Sequence, residues 1–351
     1  MRHSFFHGIF YGSVRSFFVA LTATIGVVFG FIFLLLIIGG ISSSTNKEVD
    51  QDYDLEILAN ADGVRKVESK KSPVILQLNI HGVIGAESLN MHTIRQQLIE
   101  SREGDLEKDR VKALLLHINT PGGTVNDADA IYRAVLAYKE KFQIPVYAYV
   151  DGLCASGGMY VASAADKVYA SEVSLIGSVG VLSPSFFNFT GLIDKIGVKS
   201  QTISEGKGKD DMNPFRPWKP DEDKMYKEII KYYYDMFVSI VINARPQIGK
   251  EKLVEKYGAG IFPAQLAQEY GFIDQANASR SETLKRLLHE INIEDDYYQV
   301  VGMSSSNWAS KIFSKNNPLL KGTMHHKIEL PQEVDANLSG KYLYLYQPAN
   351  K

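Results

Sequence analysis

The pattern of apolar and polar positions divides the chain into one long unbroken apolar block and many short ones. From Phe17 to Ile41 the run FFVALTATIGVVFGFIFLLLIIGGI carries no charged side chain, enough for a helix to cross a bilayer. Arg2 and Arg15 precede it, whereas Glu48, Asp50, Asp52, Asp54 and Glu56 follow with only Lys47 opposing them. By the bias of cytoplasmic flanks toward Lys and Arg, the N-terminus stays in the cytoplasm and the rest of the chain is exported. Residues 1–41 are therefore expected to form a cytoplasmic N-terminus and a single-pass anchor in the cytoplasmic (inner) membrane, with the remainder on its periplasmic side. A cleaved signal peptide competes with this reading. It would have a shorter apolar region followed by a small-x-small site, and Ser42–Ser44 leaves cleavage open.

Residues 42–72 are polar and charge-rich without a clear period and read as a juxtamembrane linker. From Pro73 the pattern changes to short apolar runs alternating with amphipathic ones: VILQLNIHGVI at 74–84, a helical period at 89–101, VKALLLHIN at 111–119, a helical period at 124–141, and PVYAYV at 145–150. Strand, helix, strand, helix, strand predicts an α/β domain with a largely parallel sheet over residues 73–351. The alternation continues through a helix opening near Ser156, strand-like KVYA at 167–170, the glycine-punctuated SLIGSVGVL at 174–182, a short helical GLIDKIG and a strand-like VKSQTIS. DEDKMYKEIIKYYYDMFVSIVINAR at 221–245 has apolar residues at helical spacing behind an acidic first turn and predicts a long helix. Residues 302–327, rich in Ser, Asn and Lys, read as a loop before a last strand-like KYLYLY.

Composition narrows the classes. With 45% hydrophobic residues, 22% charged and a net charge of −2, a folded core is expected and a polyanion partner such as nucleic acid is not. The single cysteine, Cys154, excludes an intrachain disulfide, so packing must hold the exported domain together.

Two strand-to-helix turns carry the candidate chemistry. VKALLLHIN runs into Thr120, Pro121, Gly122 and Gly123, where backbone N–H groups can approach a ligand with no side chain in the way. Such donors suit a phosphate or an acyl oxyanion, and they equally suit a purely structural turn. One strand later LCASGGMY again puts small residues between a strand and a helix, with Ser156 at the corner. Ser156 is either a nucleophile or a helix cap, and Cys154 most simply fills space as a small apolar group.

A nucleophilic serine needs a base. Of the eight histidines, His3 and His7 precede the apolar block, His289 lies on a polar helical stretch, and His325 and His326 lie in or beside the loop. His81 and His117 lie on core strands, and His117 is the best histidine candidate. The alternative base is a lysine, which works only when neutral and therefore needs burial or a cationic neighbour, plus acceptors for its amine. ISEGKGKDDMNPFRPW at 203–218 interleaves glycines with Lys207 and Lys209.

The ordered motifs NTPGG, ASGGMY, GSVGV and GKGKDDMNPF, behind an N-terminal anchor and before AQLAQEYGFID at 264–274, resemble the signal peptide peptidase family of membrane-anchored serine peptidases, peptidase family S49. The resemblance implies a crotonase/ClpP-like spiral of βαβ units and a Ser-Lys dyad. By motif position, Ser156 would be the nucleophile and Lys209 the general base. Ser178 of GSVGV would hydrogen-bond the lysine amine, and the amides of Gly123 and Gly157 would form the oxyanion hole. Met159 stands where the family often has an aromatic residue, and FPAQLA lacks the usual Thr-Gly before the QA element.

The resemblance implies an endopeptidase for apolar peptides such as cleaved signal-peptide remnants, held to the membrane by its N-terminal helix, with no cofactor and no metal, assembled as a homo-oligomeric ring. Pro214, Phe215, Pro217 and Trp218 suit a lid over an apolar groove or a simple cover for the core. Two other classes share the framework. A crotonase-like acyl-CoA enzyme would use the same amides on a thioester with a Glu or Asp base, and an inactive membrane scaffold would keep only the fold.

Overall fold

A computed structural model of the chain describes residues 53–305 and 342–346, together with Thr22, Thr24, Gly26, Phe29 and Gly30, which are helical. The chain divides into two compact units, Met1–Asp52 and Tyr53–Lys351. Most of the expected membrane segment, and residues 306–341, lie outside the described residues. Among the described residues no helix is long and apolar enough to cross a membrane.

In chain order the second unit contains β1 (Tyr53–Ile57), β2 (Val74–His81), α1 (Met91–Glu100), β3 (Val111–Thr120), β4 (Gly122–Thr124), α2 (Val125–Phe142), β5 (Val146–Ala155), α3 (Gly157–Ala162), β6 (Lys167–Ala170) and β7 (Leu175–Gly177). It continues with α4 (Thr190–Lys195), α5 (Lys224–Ala244), β8 (Ile261–Pro263), α6 (Ala264–Tyr270), α7 (Arg280–Glu290), β9 (Gln299–Ser305) and β10 (Leu343–Leu345). The main sheet runs β1-β9-β2-β3-β5-β7-β8, with β6 also pairing with β5. Pairings from β9 through β2, β3, β5, β6 and β7 are parallel, and β1 and β8 close the two ends antiparallel. This is a mixed α/β fold.

The near-continuous apolar sequence of the central strands follows from burial on both faces. Leu76, Leu78 and Ile80 of β2, Leu114, Leu116 and Ile118 of β3, and Val146, Ala148 and Val150 of β5 face one core with α2, α3 and α5. The alternate positions Ile75, Ala113, Leu115, Tyr147 and Tyr149 meet Leu284, Leu287 and Leu288 of α7 in a second core. Helix α2 starts where Thr124 accepts the Asp127 N–H at 3.2 Å. It stops at Gln143, which takes a left-handed conformation.

Four expectations need correction. Residues 53–57 are not linker: Tyr53–Ile57 pairs residue for residue with Val301–Ser305, an edge that a charged sequence without strict alternation conceals. The same pairing takes 302–305 out of the expected loop. VKSQTIS forms no strand, since residues 198–205 are exposed and no neighbouring strand offers them a ladder. Within SLIGSVGVL only Leu175–Gly177 is strand.

Candidate active site

Strand β5 ends and α3 begins at Ser156, which has φ 54° and ψ −113°, a sparsely populated conformation for a residue with a Cβ. The turn is held on both sides: the Ser156 N–H donates to the Gly177 carbonyl at 2.8 Å, and the Ser156 carbonyl accepts from the Tyr160 N–H at 3.0 Å. Ser156 is 1% exposed. A strained, buried serine at a strand-to-helix corner is the local geometry that presents a hydroxyl for nucleophilic attack.

The NTPGG turn lies against it. Thr120 is fully buried, and its Oγ1 accepts the Gly122 N–H at 3.0 Å. Gly122 has φ 97°, and a Cβ there would stand 2.7 Å from the Gly157 nitrogen and 1.9 Å from the Tyr344 carbonyl oxygen. A Cβ on Gly123 would stand 1.8 Å from the Ile84 carbonyl oxygen. Both glycines are therefore required by close backbone approach. A Cβ on Gly157 would lie 3.1 Å from the Tyr344 oxygen and 3.2 Å from the Gly123 nitrogen. Ser156, Gly122, Gly123 and Gly157 thus meet in one place, and Gly122 joins the set although motif position alone does not single it out.

The occupant of this place is the last strand of the chain. β10 pairs antiparallel with β4, Tyr344 opposite Gly123. Hydrogen bonds from Val125 N–H to the Tyr342 carbonyl at 3.0 Å and from Tyr346 N–H to the Pro121 carbonyl at 2.7 Å flank that pair, so the alternation of an antiparallel ladder turns the Gly123 N–H toward the Tyr344 carbonyl. On its other edge Leu343 exchanges backbone hydrogen bonds with Leu182 at 3.0 and 3.1 Å. The Tyr344 ring is fully buried between Tyr160 and Phe237, centroids 5.0 and 4.6 Å away, and its hydroxyl donates to the Tyr233 carbonyl at 2.9 Å. An extended peptide therefore lies between two backbone edges, one of its carbonyls against the glycines beside Ser156.

Ser178 follows β7 at φ 57°, is 6% exposed, and donates its N–H to the Gly260 carbonyl at 2.7 Å. The Ser156–Gly177 hydrogen bond ties it to the Ser156 turn. Lys209 is exposed on a turn closed by its N–H to the Gly206 carbonyl at 3.2 Å, and among the described residues no hydrogen bond joins it to Ser156 or Ser178.

The competing groups take other positions. Cys154 is wholly buried, and burial pushes its thiol up to about 12, so thiolate is absent at neutral pH. His117 lies on the α7 side of the sheet with His81, their rings 4.5 Å apart, and its Nε2 is 3.7 Å from Asp151. Burial, then the neighbouring His81, bring His117 down to about 4, leaving it a neutral ring among Gln77, Asp151 and Arg280. No group of three or more metal-ligating side chains occurs among the described residues.

A buried, strained serine beside converging glycine amides defines a serine hydrolase acting on carbonyl substrates. The model of peptidase family S49 matches residues 138–294, which include Ser156, Ser178 and Lys209, and the Clp protease model matches residues 91–176. Over those residues the chain is similar to peptidase family S49, and it is a serine peptidase. It is 28% identical over 288 residues to a putative signal peptide peptidase SppA of Enterococcus faecium, covering 80% of this chain and 83% of that one. It is 31% identical over 182 residues to the chloroplastic serine protease SPPA of Arabidopsis thaliana, covering 52% of this chain and 26% of that protein. A solved structure of a ClpP1 mutant from Listeria monocytogenes superposes with a TM-score of 0.40 at 15% identity, covering 59% of this chain and 94% of that one.

Proposed function

We propose that this chain is a membrane-anchored endopeptidase that hydrolyses apolar peptides, such as signal-peptide remnants, through a Ser156–Lys209 dyad. The observation that carries the reading is the extended strand held between Leu182 and Gly122–Thr124, with the Tyr344 carbonyl against Gly122 and Gly157. A substrate following that path offers its carbonyl carbon to Ser156. Lys209 takes the hydroxyl proton while Ser178 holds its amine. The Gly123 and Gly157 amides stabilise the oxyanion. The lysine returns the proton to the departing amine as the C–N bond breaks, and water then releases the acyl group.

Lys209 reaches Ser156 when copies of the chain assemble. Two observations support this: Lys209 is exposed, and so are the apolar side chains of the segment around it, among them Phe187, Leu192, Ile196 and Ile203. An apolar surface of that extent implies a covering partner, and a ring of identical subunits on a crotonase/ClpP-like spiral supplies one. The retained N-terminal helix would hold that ring at the extracytoplasmic face of the membrane.

The test is cleavage of a fluorogenic apolar peptide by the full chain in detergent. Ser156→Ala and Lys209→Ala should each abolish turnover, and co-assembly of the two inactive variants should restore part of it. Full activity in either single variant would sink the dyad.

A further inference from the structure

We infer that Arg216 is a positioning residue for the reaction: it clamps the turn that carries Lys209 and occupies the carboxylate of Asp210, the residue next to the base. The inference rests on Lys209 being that base, and its test is arranged so that the two can fail separately.

The turn holding Lys209 has little of its own to fix it. Gly206 and Gly208 have φ 100° and 78°, and the chain there is exposed. Order comes from Arg216, with Asn213 Nδ2 also donating to Asp210 Oδ1 at 2.5 Å. The Arg216 Nε donates to Asp210 Oδ2 at 2.5 Å, and its Nη2 donates to the Asp210 backbone carbonyl. Nη1 reaches Glu222 Oε1 at 2.7 Å and the Pro217 carbonyl at 2.9 Å. Glu222, whose side chain is 5% exposed, anchors the other end and accepts the Met212 N–H at 3.3 Å. One planar guanidinium thus ties the Lys209 turn to the start of the segment leading into α5, a fork geometry that a lysine cannot copy.

The clamp also sets the local charge. Hydrogen bonds from Arg216, then Asn213, hold the Asp210 carboxyl below its ordinary value. For Glu222 burial opposes ionisation, and the bonds from Arg216 and the Met212 and Lys219 amides outweigh it. Without the guanidinium, the Asp210 carboxylate would keep only its bond from Asn213 at 2.5 Å, in the residue next to the amine that must lose its proton, and a cation would be gone. Both changes hold a neighbouring ammonium in its charged form. Lys207, Asp211 and Lys219 are the other charged groups around the turn, and they are untouched by the change.

The experiment is the pH dependence of kcat/KM for peptide cleavage by the full chain in detergent, with thermal melts as a check on folding. Arg216→Met should lower turnover at pH 7 about tenfold, mainly in kcat, and move the acid limb up by about half to one pH unit, the lower range of neighbouring-charge effects. Adding Asp210→Asn to Arg216→Met should bring the limb back toward its original position, which a merely structural clamp would not do. Arg216→Lys should lose turnover and leave the limb in place. If Arg216→Met does not fold, Asp210→Asn alone is read, and its limb should move down. A limb unmoved in Arg216→Met, or unmoved by the second substitution, overturns the inference and leaves the dyad standing. Wild-type activity in Lys209→Ala removes the dyad itself.

Discussion

The backbone N–H of Ser156 donates to the carbonyl of Gly177 at 2.8 Å, one residue before Ser178. This bond joins two turns, both with a serine at positive φ, that come from different parts of the sequence. Ser156 cannot relax out of its strained conformation without breaking a bond to the strand that leads into Ser178. Strain persists where surrounding structure over-determines it, and here the surrounding structure is the end of the parallel sheet.

Gly122→Ala should abolish peptide cleavage. The added methyl would stand 1.9 Å from the oxygen of whatever carbonyl occupies the Tyr344 position, at a φ of 97° that alanine also resists. Gly82→Ala has a similarly positive φ of 83° but open space, and it should keep activity within about an order of magnitude. Steady-state kinetics on the two variants separate steric blockade from backbone strain, and equal losses would remove the close-approach argument.

Cys154 should be silent. A thiol pushed up to about 12 by burial gives no thiolate for alkylation at pH 8, so iodoacetamide should leave activity intact while an organophosphonate titrates Ser156. Cys154→Ala should retain turnover. Inactivation by iodoacetamide, with modification mapped to Cys154 by mass spectrometry, would contradict the assignment of Ser156.

The central strands and both glycine-rich turns were legible because burial on two faces writes continuous apolar runs, and close backbone approach writes glycine pairs. Gly122 was hidden behind Gly123 because the motif shows that two small residues are needed but not which one meets the substrate. β1 was hidden because YDLEI pairs with VGMSS across more than two hundred residues and buries little of itself. Arg216 was hidden for a different reason. A guanidinium that bridges Asp210 and Glu222 leaves no period, and RPW reads like any loop. VKSQTIS misled in the other direction, since an alternating sequence forms a strand only where a neighbour supplies the ladder.

Tyr344→Ala tests how firmly the last strand is held. Its ring is fully buried against Tyr160 and Phe237, so truncation should cost about 3–5 kcal/mol if β10 is a fixed part of the core. If the strand instead exchanges with substrate, the loss in thermal stability will be small and KM for an apolar peptide will fall, because a competing occupant has been weakened. Melting curves and steady-state kinetics on the one variant decide between a structural strand and a displaceable one.

Acidification should destabilise the domain through its histidines. His117 is held down to about 4, first by burial and then by His81, whereas an unfolded histidine titrates near its ordinary 6.5. The unfolded chain therefore binds more protons across that interval. Stability is unaffected above about pH 7, falls as pH drops from 6.5 toward 4, and levels off below that. Asp151 at 3.7 Å opposes the shift and Arg280 reinforces it. His117→Gln removes the titrating group and should flatten this part of the profile without greatly changing the melt at pH 8. Melting temperatures of both proteins between pH 4.5 and 8 check the sign, and a wild-type profile that rises on acidification over that range would show that His117 gains a proton on folding.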